Sequence, residues 1–246
     1  MNGDLRLYRR LVPNAQPSPD LPSPDQPIEP IRQSRWARPV GSTEIVLIRH
    51  GESEPYHPDR PFPVVDGCGD PALAPEGQSQ AQLVGAALRH EPFDALIVSS
   101  LRRTHQTAAP LAAHLGLVPE IEPNLREVYL GEWDGGLFRL KMHQGTDPIA
   151  HEFLKSGGDW GLIPGAETTD ELRDRVVGAL HGVAARHRDQ LIACVVHGGV
   201  IASLLAHATD VKPAVFGFAE NGSISRVLFQ DGAIRMRSFN EIAHLR

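Results

Sequence analysis

Three short segments concentrate the side chains able to do chemistry. Arg49-His50-Gly51-Glu52-Ser53, Ser99-Ser100-Leu101-Arg102-Arg103 and His197-Gly198-Gly199 each follow an apolar run, and together they supply two histidines and several arginines. That set suits an anionic phosphoryl group. Arginine offers a planar fork of donors that grips phosphate oxygens at two points and stays charged at any working pH. A neutral imidazole is a competent nucleophile, and guanidinium neighbours keep it neutral because charging it beside them is costly. The glycines after each histidine let backbone approach a ligand, and Gly198-Gly199 opens a helix whose free amides favour an anion. Spacing alone does not say which histidine attacks, and a proton donor is still required.

The elements that must position these groups alternate along the chain. Ile45–Ile48, Ala95–Val98 and Leu191–Val196 are short continuous apolar runs, the pattern of strands buried on both faces. Helices are expected over residues 76–90, with Ala81, Val84 and Leu88 on one face, over 101–115, and over 198–207. Thr168 followed by Glu171 is a capping box opening a helix that buries Leu172, Val176, Ala179 and Val183. Asp231-Gly232 turns a closing hairpin between Arg226–Phe229 and Ile234–Met236. The pattern predicts an α/β fold, a three-layer α/β/α sandwich whose mostly parallel central sheet ends in a C-terminal antiparallel hairpin. Ligands of such sheets bind beyond the carboxyl ends of the strands, where the three segments fall. The proline- and glycine-rich loop between Gly51 and Pro71 is long for a compact domain. It reads as a wall of the site or as an insertion without a role.

Composition narrows the partners. The formal charge is −6, which argues against nucleic acid or anionic lipid, and no apolar run approaches the roughly 18 residues of a membrane span. Two cysteines, Cys68 and Cys194, suggest neither a disulfide framework nor a zinc site and fit a reducing, cytoplasmic setting. Arg6, Arg9 and Arg10 interrupt the first apolar residues, so a secretory core is missing, while a transit peptide stays open. Proline is concentrated in residues 1–42, which sets a proline-rich tail apart from a body at 43–246. Pro24, Pro27 and Pro30 form a polyproline II segment, read first as a spacer and second as a docking segment for a partner.

Arg49-His50-Gly51 after a buried strand resembles the signature of the histidine phosphatase (phosphoglycerate mutase-like) superfamily. Further pieces follow in family order: Ser99-x-Leu101-x-Arg103 with Gln106-Thr107-Ala108, then Glu127, then Gly131-Glu132-Trp133-Asp134-Gly135, then Val196-His197-Gly198-Gly199. Leu73, Gly77 and Ala81 also resemble the first-helix pattern, and the likeness spans residues 44–230. The resemblance implies that His50 is the nucleophile and carries a phosphohistidine. Arg49, Arg103 and His197 would then hold the phosphoryl group, Glu127 would be the proton donor, and Ser53 and the Gly198 amide would contact substrate. It implies a metal-independent phosphohydrolase that needs no cofactor and takes a small phosphorylated substrate.

Other readings compete at several positions. Adjacent helical residues point about 100° apart, so only one of Arg102 and Arg103 can face the site; the resemblance picks Arg103 and leaves Arg102 as a surface charge. Glu132 and Asp134 are alternatives to Glu127 as the acid. Trp133 is read as packed core, Cys194 as a core residue and Cys68 as exposed, and His105 and His143 are the remaining histidines expected nearest the rim. A phosphoglycerate mutase of the same superfamily is the nearest rival function; the resemblance would then call for asparagine at Tyr56 and tyrosine at Leu130. A non-catalytic scaffold that binds phosphorylated ligands is the alternative from another class.

Overall fold

The computed structural model describes residues 32, 33, 35–217 and 219–246. Most of the expected proline-rich tail, including Pro24, Pro27 and Pro30, lies outside the described residues.

Six strands form the central sheet: β1 (Thr43–Arg49), β4 (Ala95–Val98), β5 (Glu120–Ile121), β6 (Leu191–Val196), β7 (Ile224–Gln230) and β8 (Ala233–Glu241). Their order is β5-β4-β6-β1-β7-β8. The pairs β1 with β6, β6 with β4 and β4 with β5 are parallel, whereas β7 runs antiparallel to both β1 and β8. The C-terminal hairpin thus closes one edge, as the Asp231-Gly232 turn predicts. A separate two-stranded ribbon, β2 (Val64–Val65) with β3 (Cys68–Gly69), sits inside the long loop after β1.

The sheet is buried on both faces, which is why its central strands are unbroken apolar runs. Ile45, Leu47, Ile97, Ile192 and Cys194 turn to one face, where they meet α5 (Thr169–Arg186) and α6 (Gly198–Thr209). Val46, Ile48, Leu96, Val98 and Val195 turn to the other, against α1 (Pro75–Leu88) and α2 (Arg102–Leu115). Each fully buried aliphatic side chain contributes about 1.5–3 kcal/mol, so this alternation rather than helix propensity fixes the three layers. The Thr168–Glu171 capping box forms at the start of α5. On that helix Leu180 joins the core where Ala179 was expected, and Ala179 is only partly buried.

A third, smaller apolar cluster stands apart from the sheet. Trp133, Ala150, Phe153 and Ile163 are buried together with Phe138 and Trp160 packed on them, and they join α3 (Leu137–Gln144) to α4 (Pro148–Ser156). Trp133 is therefore core, as expected. No helix among the described residues is long and apolar enough to cross a membrane.

Candidate active site

Strands β1 and β6 are neighbours, with Arg49 paired to Val196, so the residues that follow each strand emerge side by side. Those residues are His50 and His197, whose rings meet edge to face with centroids 5.1 Å apart. Both are buried. The His50 amide still donates to the Val196 carbonyl at 3.0 Å, so the imidazole is anchored by the sheet itself.

The His50 ring has one possible arrangement of its proton. Nδ1 lies 2.7 Å from the Gly51 carbonyl, which can only accept, so Nδ1 carries the hydrogen and Nε2 presents its lone pair. Arg103 Nε–H donates to that Nε2 at 3.2 Å. Burial, followed by the charges of Arg103 and Arg49, holds the His50 pKa well below its ordinary value. His197 is held low by burial first and then by Arg103. Its Nε2 lies 2.8 Å from Ser99 Oγ, while its Nδ1 is buried without a partner among the described residues.

Two guanidiniums flank the rings. Arg103 leaves the first turn of α2 and donates from Nη1 to the Gly69 carbonyl at 2.9 Å, with Asp70 Oδ1 at 3.9 Å. Arg102 turns outward and binds Asp70 by its backbone and its Nε, as the resemblance implies. Arg49 donates to the Ala219 carbonyl, and its Nε is buried with no partner among the described residues. Gly198 lies over Arg49, where a Cβ would sit 3.4 Å from that Nε. Burial lowers the pKa of Arg49 and Arg103, against the pull of Glu127 on each.

Glu127 lines the same cleft, half-buried. Its Oε1 accepts from the Val128 amide at 3.0 Å and its Oε2 from the Gly199 amide at 3.3 Å. The helix terminus expected to receive an anion thus receives this carboxylate. A Cβ on Gly199 would lie 2.5 Å from Oε1, so glycine is what admits the side chain. The loop that carries Glu127 is pinned by Arg175 of α5, which donates to the carbonyls of Asn124 and Arg126 and grips Glu167 at two points. Arg175 in α5 and Glu167 just before that helix therefore help place a carboxyl 40 or more residues earlier in the chain.

The competing carboxylates are placed differently. Asp134 accepts from the amides of Gly69, Gly135 and Leu130, and Glu132 is exposed. His143 is exposed and His105 only partly buried, and neither lines the cleft. Cys68, expected to be exposed, is a correction: the β2–β3 ribbon folds it inward, buried against the carbonyls of Glu127 and Val128. Burial, reinforced by the charge of Asp134, pushes its thiol up to about 11. Cys194 is a core residue, as expected.

The cleft holds about 510 Å³. His50, Arg49, Arg103 and Glu127 form its floor; Pro55, Phe62, Leu130, Phe138 and Trp160 form an apolar outer wall. Ser53 lines it as well, through a bridge to Leu73 that ties the long loop to the start of α1. Gly77 is essential to that seam, because a Cβ there would fall 1.9 Å from the Glu52 carbonyl oxygen. Two lining residues carry no motif of their own. Asn221 donates to the His50 carbonyl at 2.9 Å, and Arg139 reaches Ser53 Oγ at 2.7 Å and the Glu54 carbonyl at 2.8 Å. Among the described residues no group of three or more His, Cys, Asp or Glu side chains is placed to hold a metal ion.

Comparison with known proteins agrees with this geometry. Residues 45–242 match the histidine phosphatase superfamily (branch 1). A metal-independent phosphoserine phosphatase of Arabidopsis thaliana is 30% identical over 227 residues, covering 89% of this chain and 91% of the relative. Phosphoglycerate mutase-like protein 4 of the same plant is 32% identical over 219 residues, covering 87% and 93%. The solved structure of phosphoserine phosphatase from Entamoeba histolytica in complex with 3-phosphoglyceric acid aligns with a TM-score of 0.66 at 26% identity, covering 83% of this chain and all of that one. The chain belongs to the histidine phosphatase superfamily, branch 1.

Proposed function

We propose that residues 43–246 hydrolyse small phosphate monoesters through a phosphohistidine on His50, with residues 1–42 a tail outside the catalytic unit. The observation that carries the assignment is the His50 ring. Its proton is held on Nδ1 by the Gly51 carbonyl, and its Nε2 lone pair faces the arginine-lined cleft.

In the first step Nε2 attacks phosphorus, an N–P bond forms and the ester P–O bond breaks. Glu127 gives its proton to the departing alkoxide, which leaves as the alcohol. Arg103 exchanges its contact with Nε2 for a phosphoryl oxygen, and Arg49 offers the Nε–H that has no partner among the described residues. With the Ser99 hydroxyl donating to His197 Nε2, the imidazole proton sits on Nδ1, where a third oxygen accepts it. These donors neutralise charge on the equatorial oxygens, which is most of what a protein supplies in phosphoryl transfer. In the second step water attacks phosphorus, Glu127 takes its proton, the N–P bond breaks and neutral His50 returns. Ser53 and the Gly198 amide stand in this reading as substrate contacts.

The relatives named for phosphoserine and the one solved with 3-phosphoglyceric acid support a small phosphorylated substrate. Two buried, unpaired cysteines support a reducing compartment, read here as the cytoplasm. The test is phosphate release from a panel of labelled monoesters in the presence of chelator, with His50→Ala in parallel and chains quenched in alkaline detergent assayed for alkali-stable, acid-labile phosphate. Release by the wild type alone, with label on His50, is the expected result. Label elsewhere, or full activity in His50→Ala, overturns the assignment, and interconversion of phosphoglycerates without release makes the chain a mutase.

A further inference from the structure

We infer that Thr107 and Gln80 are positioning residues for His50: they hold the two peptide planes on either side of Gly51, and with them the carbonyl that orients the imidazole. The inference rests on the reading of His50 as the nucleophile and adds to it the side chains that aim the ring.

Gly51 has to be glycine, and it has to be restrained. A Cβ there would fall 2.4 Å from the Gly77 carbonyl oxygen of α1, so nothing larger fits. Glycine is also the residue whose φ and ψ are least confined, and the Gly51 carbonyl is the acceptor for His50 Nδ1–H at 2.7 Å. Rotation of the peptide planes about the Gly51 Cα would swing that acceptor off the ring. Each plane is held at both of its polar ends. In the plane before Gly51, the His50 carbonyl accepts from Asn221 Nδ2 at 2.9 Å, and the Gly51 amide donates to Thr107 Oγ1 at 3.0 Å. Thr107 is fully buried, and its own hydrogen goes to the Arg103 carbonyl at 2.7 Å, which leaves a lone pair for the amide. In the plane after Gly51, the carbonyl accepts from the ring and the Glu52 amide donates to Gln80 Oε1 at 2.8 Å. Gln80 is thus coupled to His50 Nδ1–H through a single peptide group, and an acceptor on its N–H makes the carbonyl at its other end a better acceptor.

Helical spacing delivers both oxygens. Gly77 and Gln80 are three residues apart on α1 and share a face, so the glycine that lets the helix approach the turn also brings the glutamine onto the next amide. Thr107 follows Arg103 by four residues on α2. One face of α2 therefore sends a guanidinium to His50 Nε2 and a hydroxyl to the Gly51 amide. The ring is gripped at Nε2 by Arg103 directly, and at Nδ1 by a carbonyl that Thr107 and Gln80 aim. Neither Thr107 nor Gln80 lines the cleft, so their effect on the reaction passes through His50.

The test is Thr107→Val with Gln80→Met in the full chain, which removes both acceptors at similar volume. The rate is read as kcat/KM for p-nitrophenyl phosphate, whose leaving group needs no proton, so attack by His50 is reported apart from Glu127. It should fall at least about tenfold, the scale of a small misplacement of a reacting group. Inhibition by inorganic phosphate reports the arginine pocket, and its constant should stay within about threefold of the wild type. Thr107→Ser keeps the hydroxyl and should keep the rate within about threefold, whereas Thr107→Val alone should not. The hydrogen-bonded Nδ1–H of His50, identified in proton NMR by its absence from His50→Gln, should resonate downfield in the wild type and move upfield or exchange away in the double variant. Gln80→Met alone removes only an exposed contact, so the fold is retained, and it should shift the same proton. An Nδ1–H unchanged in these variants, an equal loss of rate and phosphate affinity, or a Thr107→Ser as slow as Thr107→Val overturns the inference. The proton is read without turnover, so absent phosphate release by the wild type would sink the hydrolytic reading and leave this test standing.

Discussion

Gly199→Ala tests Glu127, the proposed proton donor, without replacing it. The added methyl would sit 2.5 Å from Glu127 Oε1, and ordinary contact begins at 3.4 Å, so the carboxyl must retreat by about 0.9 Å. A displacement of that size at a reacting group costs on the order of 100-fold in rate. The backbone of Gly199 is helical, so alanine is tolerated there and gains about 0.5–1 kcal/mol over glycine. The melting temperature should hold within about 3 °C of the wild type. The assay compares kcat/KM for an alkyl phosphate and for p-nitrophenyl phosphate, since kcat/KM reports only the steps up to departure of the alcohol. The alkyl ester needs a proton from Glu127 and should lose about 100-fold. The nitrophenolate leaves unaided and should lose less than about fivefold. An equal loss on both esters would refute the reasoning, because the methyl would then be disturbing the phosphate pocket rather than the acid. No loss on either would show that Glu127 does not act from this position.

The two depressed histidines make stability depend on pH. Their folded pKa values lie below the ordinary 6.5, so the unfolded chain takes up protons first as pH falls. Stability is complete above about 6.5 and declines below it by about 1.4 kcal/mol per pH unit for each ring. Urea titrations at pH 7.5, 6.5 and 5.5 should show a shallower decline in His50→Gln/His197→Gln than in the wild type; identical slopes would contradict the burial argument. Gly77→Ala drives a methyl into the Glu52 backbone and should cost about 2–4 kcal/mol in urea unfolding, with a loss under about 1 kcal/mol counting against the close seam.

The arginine- and histidine-bearing part of the cleft was legible because each of its segments follows a strand buried on both faces. Ile45–Ile48, Ala95–Val98 and Leu191–Val196 announce themselves as apolar runs, and the polar residues that end them must emerge on one rim. Glu127 needed more than periodicity, since Glu132 and Asp134 lie close by; backbone amides that occupy Asp134 distinguish them only in three dimensions. Strand β5 left no trace because both its residues are exposed. Cys68 looks like a loop residue in sequence, and it is the two-residue ribbon that turns it inward. Arg139 is one arginine on a short amphipathic helix, and nothing local separates it from a solvated charge. Its orientation comes from a positive-φ glycine and from an aromatic ring more than 70 residues earlier.

The strand order also bears on how the chain becomes an enzyme. β1 and β4, both made early in synthesis, do not touch; β6 inserts between them, pairing residue 191 with residue 44 on one side and residue 192 with residue 95 on the other. Until that late strand is threaded, the sheet has a gap at its centre and His50 has no His197 beside it. Pairings so distant along the chain form slowly, because the entropy of closing the long loop is lost before any contact repays it. A nascent chain that ends before residue 197 therefore holds His50, the proposed nucleophile, in half a pocket. Recovery of turnover during refolding should therefore not precede closure of the sheet centre, which makes enzymatic activity a reporter of that topological step.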